Sequence, residues 1–155
     1  MKFNLDFTTD YGQFYICDKN FLGQTDSENF WTDKAYDNKI AVENGILGIA
    51  IGNEEGIVKC EFEILVSRNL KVDFNDFDHI VEASLKIDSG FFQVLDCPNS
   101  EVQFQTEVEN GEFRARIYSR NLALAFDENP QDSYLIQIWK EEFSEPIVLK
   151  RFSVI

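Results

Sequence analysis

Histidine is nearly missing from this 155-residue chain, which carries only His79. Proton relays through imidazole and metal sites built on paired histidines therefore have almost nothing to work with. No Gly-x-Ser-x-Gly elbow surrounds a serine, and Gly48 and Gly52 lack the lysine and spacing of a phosphate-binding loop. The three cysteines, Cys17, Cys60 and Cys97, are widely spaced with no Cys-x-x-Cys pair, against a zinc or redox motif. They read as small buried hydrophobes of a reducing compartment. Long apolar runs are absent too. The opening Met1-Lys2-Phe3-Asn4-Leu5-Asp6 breaks any signal-peptide pattern, and no later stretch is long enough to span a bilayer. The expectation is a cytoplasmic protein with no cofactor, no metal and no enzymatic activity.

Basic residues are the next scarcity. Fourteen Lys and Arg face 28 Asp and Glu, a formal net charge of -14. Such an excess repels nucleic acid and anionic membrane and draws in cationic partners. Residues 1–110 hold 21 acids against 8 bases, and residues 111–155 hold 7 against 6, so the excess lies early in the chain. Carboxylates also keep proteins dissolved, so charge alone leaves two readings open: solubility, or a surface built to be bound. Arg114, Arg116 and Arg120 read as a solvated sheet face pairing with nearby acids, and His79 as a strand-edge residue beside a turn. The run Asp73-Phe74-Asn75-Asp76-Phe77-Asp78 starts like a calcium loop. It has Phe77 and Asp78 where that loop needs an oxygen ligand and a glycine, and Ser84 at its closing glutamate, so it reads as a solvated inter-strand loop.

What the chain does have is aromatic bulk, 15 Phe, 5 Tyr and 2 Trp, and short apolar or alternating runs between polar turns. That pattern predicts strands over residues 3–7, 13–17, 46–51, 57–66, 80–87, 91–95, 102–108, 112–120, 134–139 and 147–152. In 113–118 the side chains of Phe113, Ala115 and Ile117 share one face and the two arginines the other. Cys60, Phe62 and Ile64 alternate likewise with Lys59, Glu61 and Glu63. One buried face per strand predicts an all-β, antiparallel two-sheet β-sandwich, jelly-roll-like, forming a single domain over 1–155. Asn110-Gly111 is expected to close a hairpin between the strands ending at Val108 and starting at Glu112. One short helix is expected near residues 32–40, capped by Thr32 with Asp33 in its first turn and Gly45 beyond its far end.

Three segments carry a family pattern: Tyr11-Gly12-Gln13-Phe14-Tyr15-Ile16, then Phe30-Trp31-Thr32-Asp33-Lys34-Ala35, then Gly45-Ile46-Leu47-Gly48-Ile49-Ala50-Ile51. Their order resembles the competence protein J family, small acidic proteins that bind and inhibit a nuclease of DNA uptake. The resemblance covers roughly a third of the chain, with a late echo in Tyr134-Leu135-Ile136-Gln137-Ile138-Trp139. It departs where the family pattern has a basic residue followed by glycine, since Lys39 here precedes Ile40. The resemblance implies a β-sandwich that binds and neutralises a basic partner, a nuclease or related toxin, in the manner of an inhibitor or immunity protein. The expected partner-binding residues are Asp26, Glu28, Trp31, Asp33 and Asp37, an aromatic anchor ringed by carboxylates. Trp31, Tyr11 and Phe14 could equally mark the core. The alternative function is a carbohydrate- or small-molecule-binding sandwich without catalysis, in which aromatics serve as stacking platforms.

Overall fold

The computed structural model describes residues 1–153 and places eleven strands in two sheets. The strands are β1 (Lys2–Thr8), β2 (Gln13–Asp18), β3 (Ile40–Glu43), β4 (Ile46–Ala50), β5 (Ile57–Ile64), β6 (His79–Ile87), β7 (Phe91–Leu95), β8 (Val102–Glu107), β9 (Gly111–Arg120), β10 (Ser133–Lys140) and β11 (Ile147–Lys150), with one helix, α1 (Asp33–Asn38). One sheet runs β1-β5-β10-β9-β6-β11 and the other β3-β4-β2-β7-β8. They stack as a β-sandwich with a single shared core. Phe14, Ile16, Leu47, Ile49, Phe92 and Val94 meet Val58, Phe62, Val81, Leu85, Ile117 and Ile138. Phe62 stacks on Phe92 across the two sheets with ring centroids 4.6 Å apart. The predicted alternation is seen directly: Phe113, Ala115 and Ile117 lie in the core and Arg114 and Arg116 lie on the opposite face.

Three expectations need correction. The five-stranded sheet is antiparallel throughout, but β5 and β10 of the six-stranded sheet pair in parallel. Alternation reports which face is buried and is blind to strand direction, so the exception had no local signature. A short strand, β3, occupies the stretch between the helix and Gly45, where none was expected. The loop that closes the β3–β4 hairpin is Asn44-Gly45, with Gly45 at φ 77°, a value glycine tolerates without a steric penalty. Asn110-Gly111, by contrast, closes no hairpin. Strands β6, β7, β8 and β9 form one long ribbon, with β6 paired to β9 in one sheet and β7 to β8 in the other. Residues 88–90 and 108–111 are the corner where that ribbon folds from sheet to sheet. The Val108 amide donates to the Gly90 carbonyl there, and the buried Asp18 carboxylate accepts the amides of Asp88 and Ser89 at 3.1 Å.

The arginine face is not solvated. Residues 65–78 and 141–146 lie over the outer face of the six-stranded sheet, leaving Arg114 and Arg116 only 2% exposed. Both donate to Glu82, itself 1% exposed, at 3.0 and 2.7 Å, and Arg68 of the covering loop adds a third contact at 3.0 Å. Arg116 also holds the Asn69 carbonyl, while Arg114 holds the carbonyls of Ser144 and Glu145. The guanidinium groups of Arg68 and Arg116 each lie 5.0 Å from the centre of the Trp139 ring. The run 73–78 belongs to the same cover. Asp73 caps a 3-10 turn, and Phe77 is buried against Tyr118 with centroids 4.7 Å apart. Burial opposes ionisation of Glu82, but hydrogen bonds from three arginines outweigh it and hold the carboxyl below its ordinary range. Replacing Glu82 by Gln leaves buried guanidinium charge uncompensated and is expected to cost ~3–5 kcal/mol of stability in urea unfolding. Glu109→Gln, which removes the exposed pair with Lys140, is expected to shift the same curve by no more than ~0.5 kcal/mol.

Candidate partner-binding face

The outer face of the five-stranded sheet is apolar as well. Tyr15, Cys17, Ala41, Ile46, Leu95 and Cys97 point outward and are buried because residues 19–38 lie across them. Phe30 and Ala35 are the buried anchors of this lobe, with Phe21 and Trp31 packed beside them. The helix forms where expected. Thr32 caps it by accepting the Ala35 amide at 3.1 Å, and Asp33 stands in the first turn, where a carboxylate favours the dipole. Its end comes earlier than Gly45. Lys39 takes up a left-handed conformation at φ 63°, and its amide returns to the carbonyls of Ala35 and Tyr36. Arg151 reaches the same end, donating to the Asp37 carbonyl and to the Asn38 side chain.

Trp31 is half-buried, neither wholly core nor free. Its ring lies over Gly48 of β4, where a Cβ would come within 2.9 Å of carbons of both Phe30 and Trp31. The indole N–H donates to the Gln13 side chain, and the outer face stacks on Tyr36 with centroids 5.1 Å apart. Tyr36 is 61% exposed and Tyr11 is 78% exposed, whereas Phe14 is fully buried. The aromatics of the family-like segments therefore split: Phe14 and Phe30 build the interior, while Trp31 and Tyr11 face outward to different degrees, as does the neighbouring Tyr36. Asp26, Glu28, Asp33 and Asp37 are all exposed on the lobe, and none forms an ion pair among the described residues. Tyr36 was not among the expected site residues. Its only sequence signal was an aromatic placed on the helix beside Asp33 and Asp37.

Chemically reactive groups are spent elsewhere. Burial pushes the Cys17 thiol up to about 12 and raises those of Cys60 and Cys97, so all three are poor nucleophiles. Among the described residues no three His, Cys, Asp or Glu side chains converge as a metal site would require. No helix among them is long and apolar enough to cross a membrane. His79 begins β6 but is 1% exposed and committed at both nitrogens. Its Nε2–H donates to the Asn38 carbonyl at 2.8 Å and Nδ1 accepts the Phe152 amide at 3.0 Å. It thus ties the end of the lobe to the C-terminal segment.

In sequence the chain matches no family profile and no curated protein. In fold it is similar to ComJ from Bacillus subtilis, described as an inhibitor of the DNA degrading activity of NucA. The TM-score is 0.66 at 16% identity, covering 91% of this chain and 96% of that one. It is similar also to a protein described as crocagin biosynthetic gene J, with a TM-score of 0.57 at 13% identity over 92% and 99% of the two chains. At these identities the likeness is one of fold.

Burial, followed by the nearby charges of Lys39 and Arg151, lowers His79 from 6.5 to about 4, against the raising effect of the Asn38 contact. The unfolded chain therefore takes up a proton first. Stability from this group is complete above about pH 6.5 and falls as pH drops towards 4, by on the order of 3 kcal/mol in total. Thermal melting at pH 7 and pH 4.5 is expected to show a larger acid loss for the native protein than for His79→Gln. Equal losses would mean that carboxylates alone set the acid sensitivity.

Proposed function

We propose that this protein binds and neutralises a nuclease or related toxin through the lobe of residues 19–38. The observation that supports the proposal is the Trp31–Tyr36 stack on a lobe that also exposes Asp26, Glu28, Asp33 and Asp37, in a fold similar to that of ComJ. Nucleases hold phosphates with lysine and arginine, so an acidic face can settle on such a site or its rim, speeded by long-range attraction. The stack would supply the apolar contact in which binding energy concentrates. A carbohydrate platform is a poorer fit, because Trp31 and Tyr36 cover each other's faces instead of lying side by side for a sugar ring.

The direct test is a screen for stoichiometric inhibition of any nuclease encoded beside the gene, with association slowing as salt rises. If no neighbouring nuclease is bound or inhibited, the proposal falls. Given inhibition, charge reversal at Asp33 and Asp37 is expected to slow association at least several-fold and leave dissociation nearly unchanged. The same reversal at the exposed Asp127 and Glu128 should have little effect, and equal damage there would place the partner elsewhere. Trp31→Ala is expected to cost ~2 kcal/mol or more of binding. It should cost less stability than the ~3–5 kcal/mol of a fully buried tryptophan, as read by thermal melting.

A further inference from the structure

Four strands form the sheet edges, and they differ in how they are protected against pairing with another chain. Along β1 the charges of Lys2 and Asp6 stand exposed, while β8 and β11 are each interrupted by a register shift, between Val94 and Leu95 in the β7–β8 pairing and between Val148 and Lys150 in the β11–β6 pairing. β3 has neither bulge nor proline. The Ala50 amide donates to the Lys39 carbonyl, and the register then runs Ile40 to Ile49, Ala41 to Gly48, Val42 to Leu47 and Glu43 to Ile46. In that antiparallel order Ala41 and Glu43 exchange hydrogen bonds with β4, while Ile40 and Val42 aim their amides and carbonyls away from it. Ile40 is only 2% exposed and the Asn44 carbonyl already accepts the Gly23 amide, so the donor and acceptor this edge leaves open are those of Val42, itself 38% exposed.

Two depressions meet at this edge, and Val42 lines both. One is bounded by Thr32 and Lys34 of the lobe on one side and by Glu145 and Pro146 on the other; the second is bounded by Glu43, Glu112, Lys86 and Phe143. Together they make a groove along β3. Its far wall, residues 142–147, is exposed yet fixed, because Arg114 holds the carbonyls of Ser144 and Glu145 and Ser84 Oγ accepts the Ser144 amide. That wall presents Phe143, which is 61% exposed, between Glu142 and Glu145. Carboxylates outnumber amines around the groove.

We propose that the groove along β3 takes an extended, lysine- or arginine-bearing segment of the partner protein, paired main chain to main chain with the edge of the five-stranded sheet at Val42. Main-chain pairing at Val42 would set its register, the groove acids would meet its basic side chains, and Phe143 would pack its apolar ones. A second copy of the chain is disfavoured at this edge by its own net charge of -14. The proposal rests on the protein-binding reading above, since the lobe forms one wall of the groove, but it is tested apart from it. A capped peptide alternating lysine and valine, and its glutamate–valine counterpart, are titrated into the isotope-labelled full-length protein. The lysine peptide alone is expected to shift the amides of residues 40–43 and 142–147 and to slow exchange of the Val42 amide. Val42→Pro should abolish both effects with its melting temperature little changed, because that amide makes no bond to β4; Val42→Thr should retain them. No binding, shifts confined to the lobe, unchanged binding by Val42→Pro, or a dimer paired through β3 would each overturn the proposal. Nuclease inhibition kept in full by Val42→Pro would remove the edge and leave the inhibitor reading. Peptide bound at β3 with no nuclease inhibited would remove the inhibitor reading and leave the edge.

Discussion

The contact between Glu82 and its three arginines is the constraint on which much of the remaining architecture depends. A carboxylate 1% exposed is stable as an anion only because guanidinium groups satisfy both oxygens. Two of those arginines come from the neighbouring strand β9 and the third from the loop above. Arg116 then fixes the covering loop through Asn69, and Arg114 fixes residues 144 and 145. The ion cluster thus sets the position of the segment that carries Phe143. Charge buried in a sheet face is costly, and here it stabilises two loops that hydrophobic packing alone would leave less defined.

Each sheet is covered on its outer side, but by different physics. The six-stranded sheet is capped mainly through ions and amides around Glu82, Tyr118 and Gln137, beside a small apolar patch where Phe77 and Val72 pack on Ile80 and Tyr118. The five-stranded sheet is capped through apolar contact, with Phe30 and Ala35 lying on Tyr15, Cys17 and Ile46. This division explains why the exposed acids can sit on the apolar lobe. Its anchors face inward and need no charges, so Asp26, Glu28, Asp33 and Asp37 are free to face solvent.

Most strands and the helix cap were legible in the sequence, because period-two alternation and the Thr32–Asp33 start signal are local properties. What was illegible depended on distant partners. The pattern of Phe113, Arg114, Ala115 and Arg116 separates two faces correctly, yet nothing within it says that residues 65–78 will bury the arginines. β3 escaped because Ile40-Ala41-Val42-Glu43 is only four residues long and follows directly on the helix end at Lys39. Two Asn-Gly pairs carry the same turn chemistry, and only the topology assigns Asn44-Gly45 to a hairpin and Asn110-Gly111 to a ribbon corner. For the candidate site, the exposure of the four acids followed from their type. The half-burial of Trp31 followed from Gly48 beneath it and Gln13 beside it, residues distant in sequence.

A helix of six residues has no independent stability in water, so the order of the lobe must come from what it rests on. The lobe is seated by Phe30 on the sheet, by the missing side chain at Gly48, and by the Trp31–Gln13 and His79–Asn38 hydrogen bonds. Each of these acts before any partner arrives. The aromatic stack and the carboxylates are therefore already in place, and the ordering entropy that weakens recognition by flexible loops has largely been met during folding. The same holds for residues 142–147 across the groove, which the buried arginine fixes from below. Two pre-ordered walls therefore flank the β3 edge, and the acidic surplus of the chain would favour a basic protein over a second copy of the chain as the occupant proposed for it.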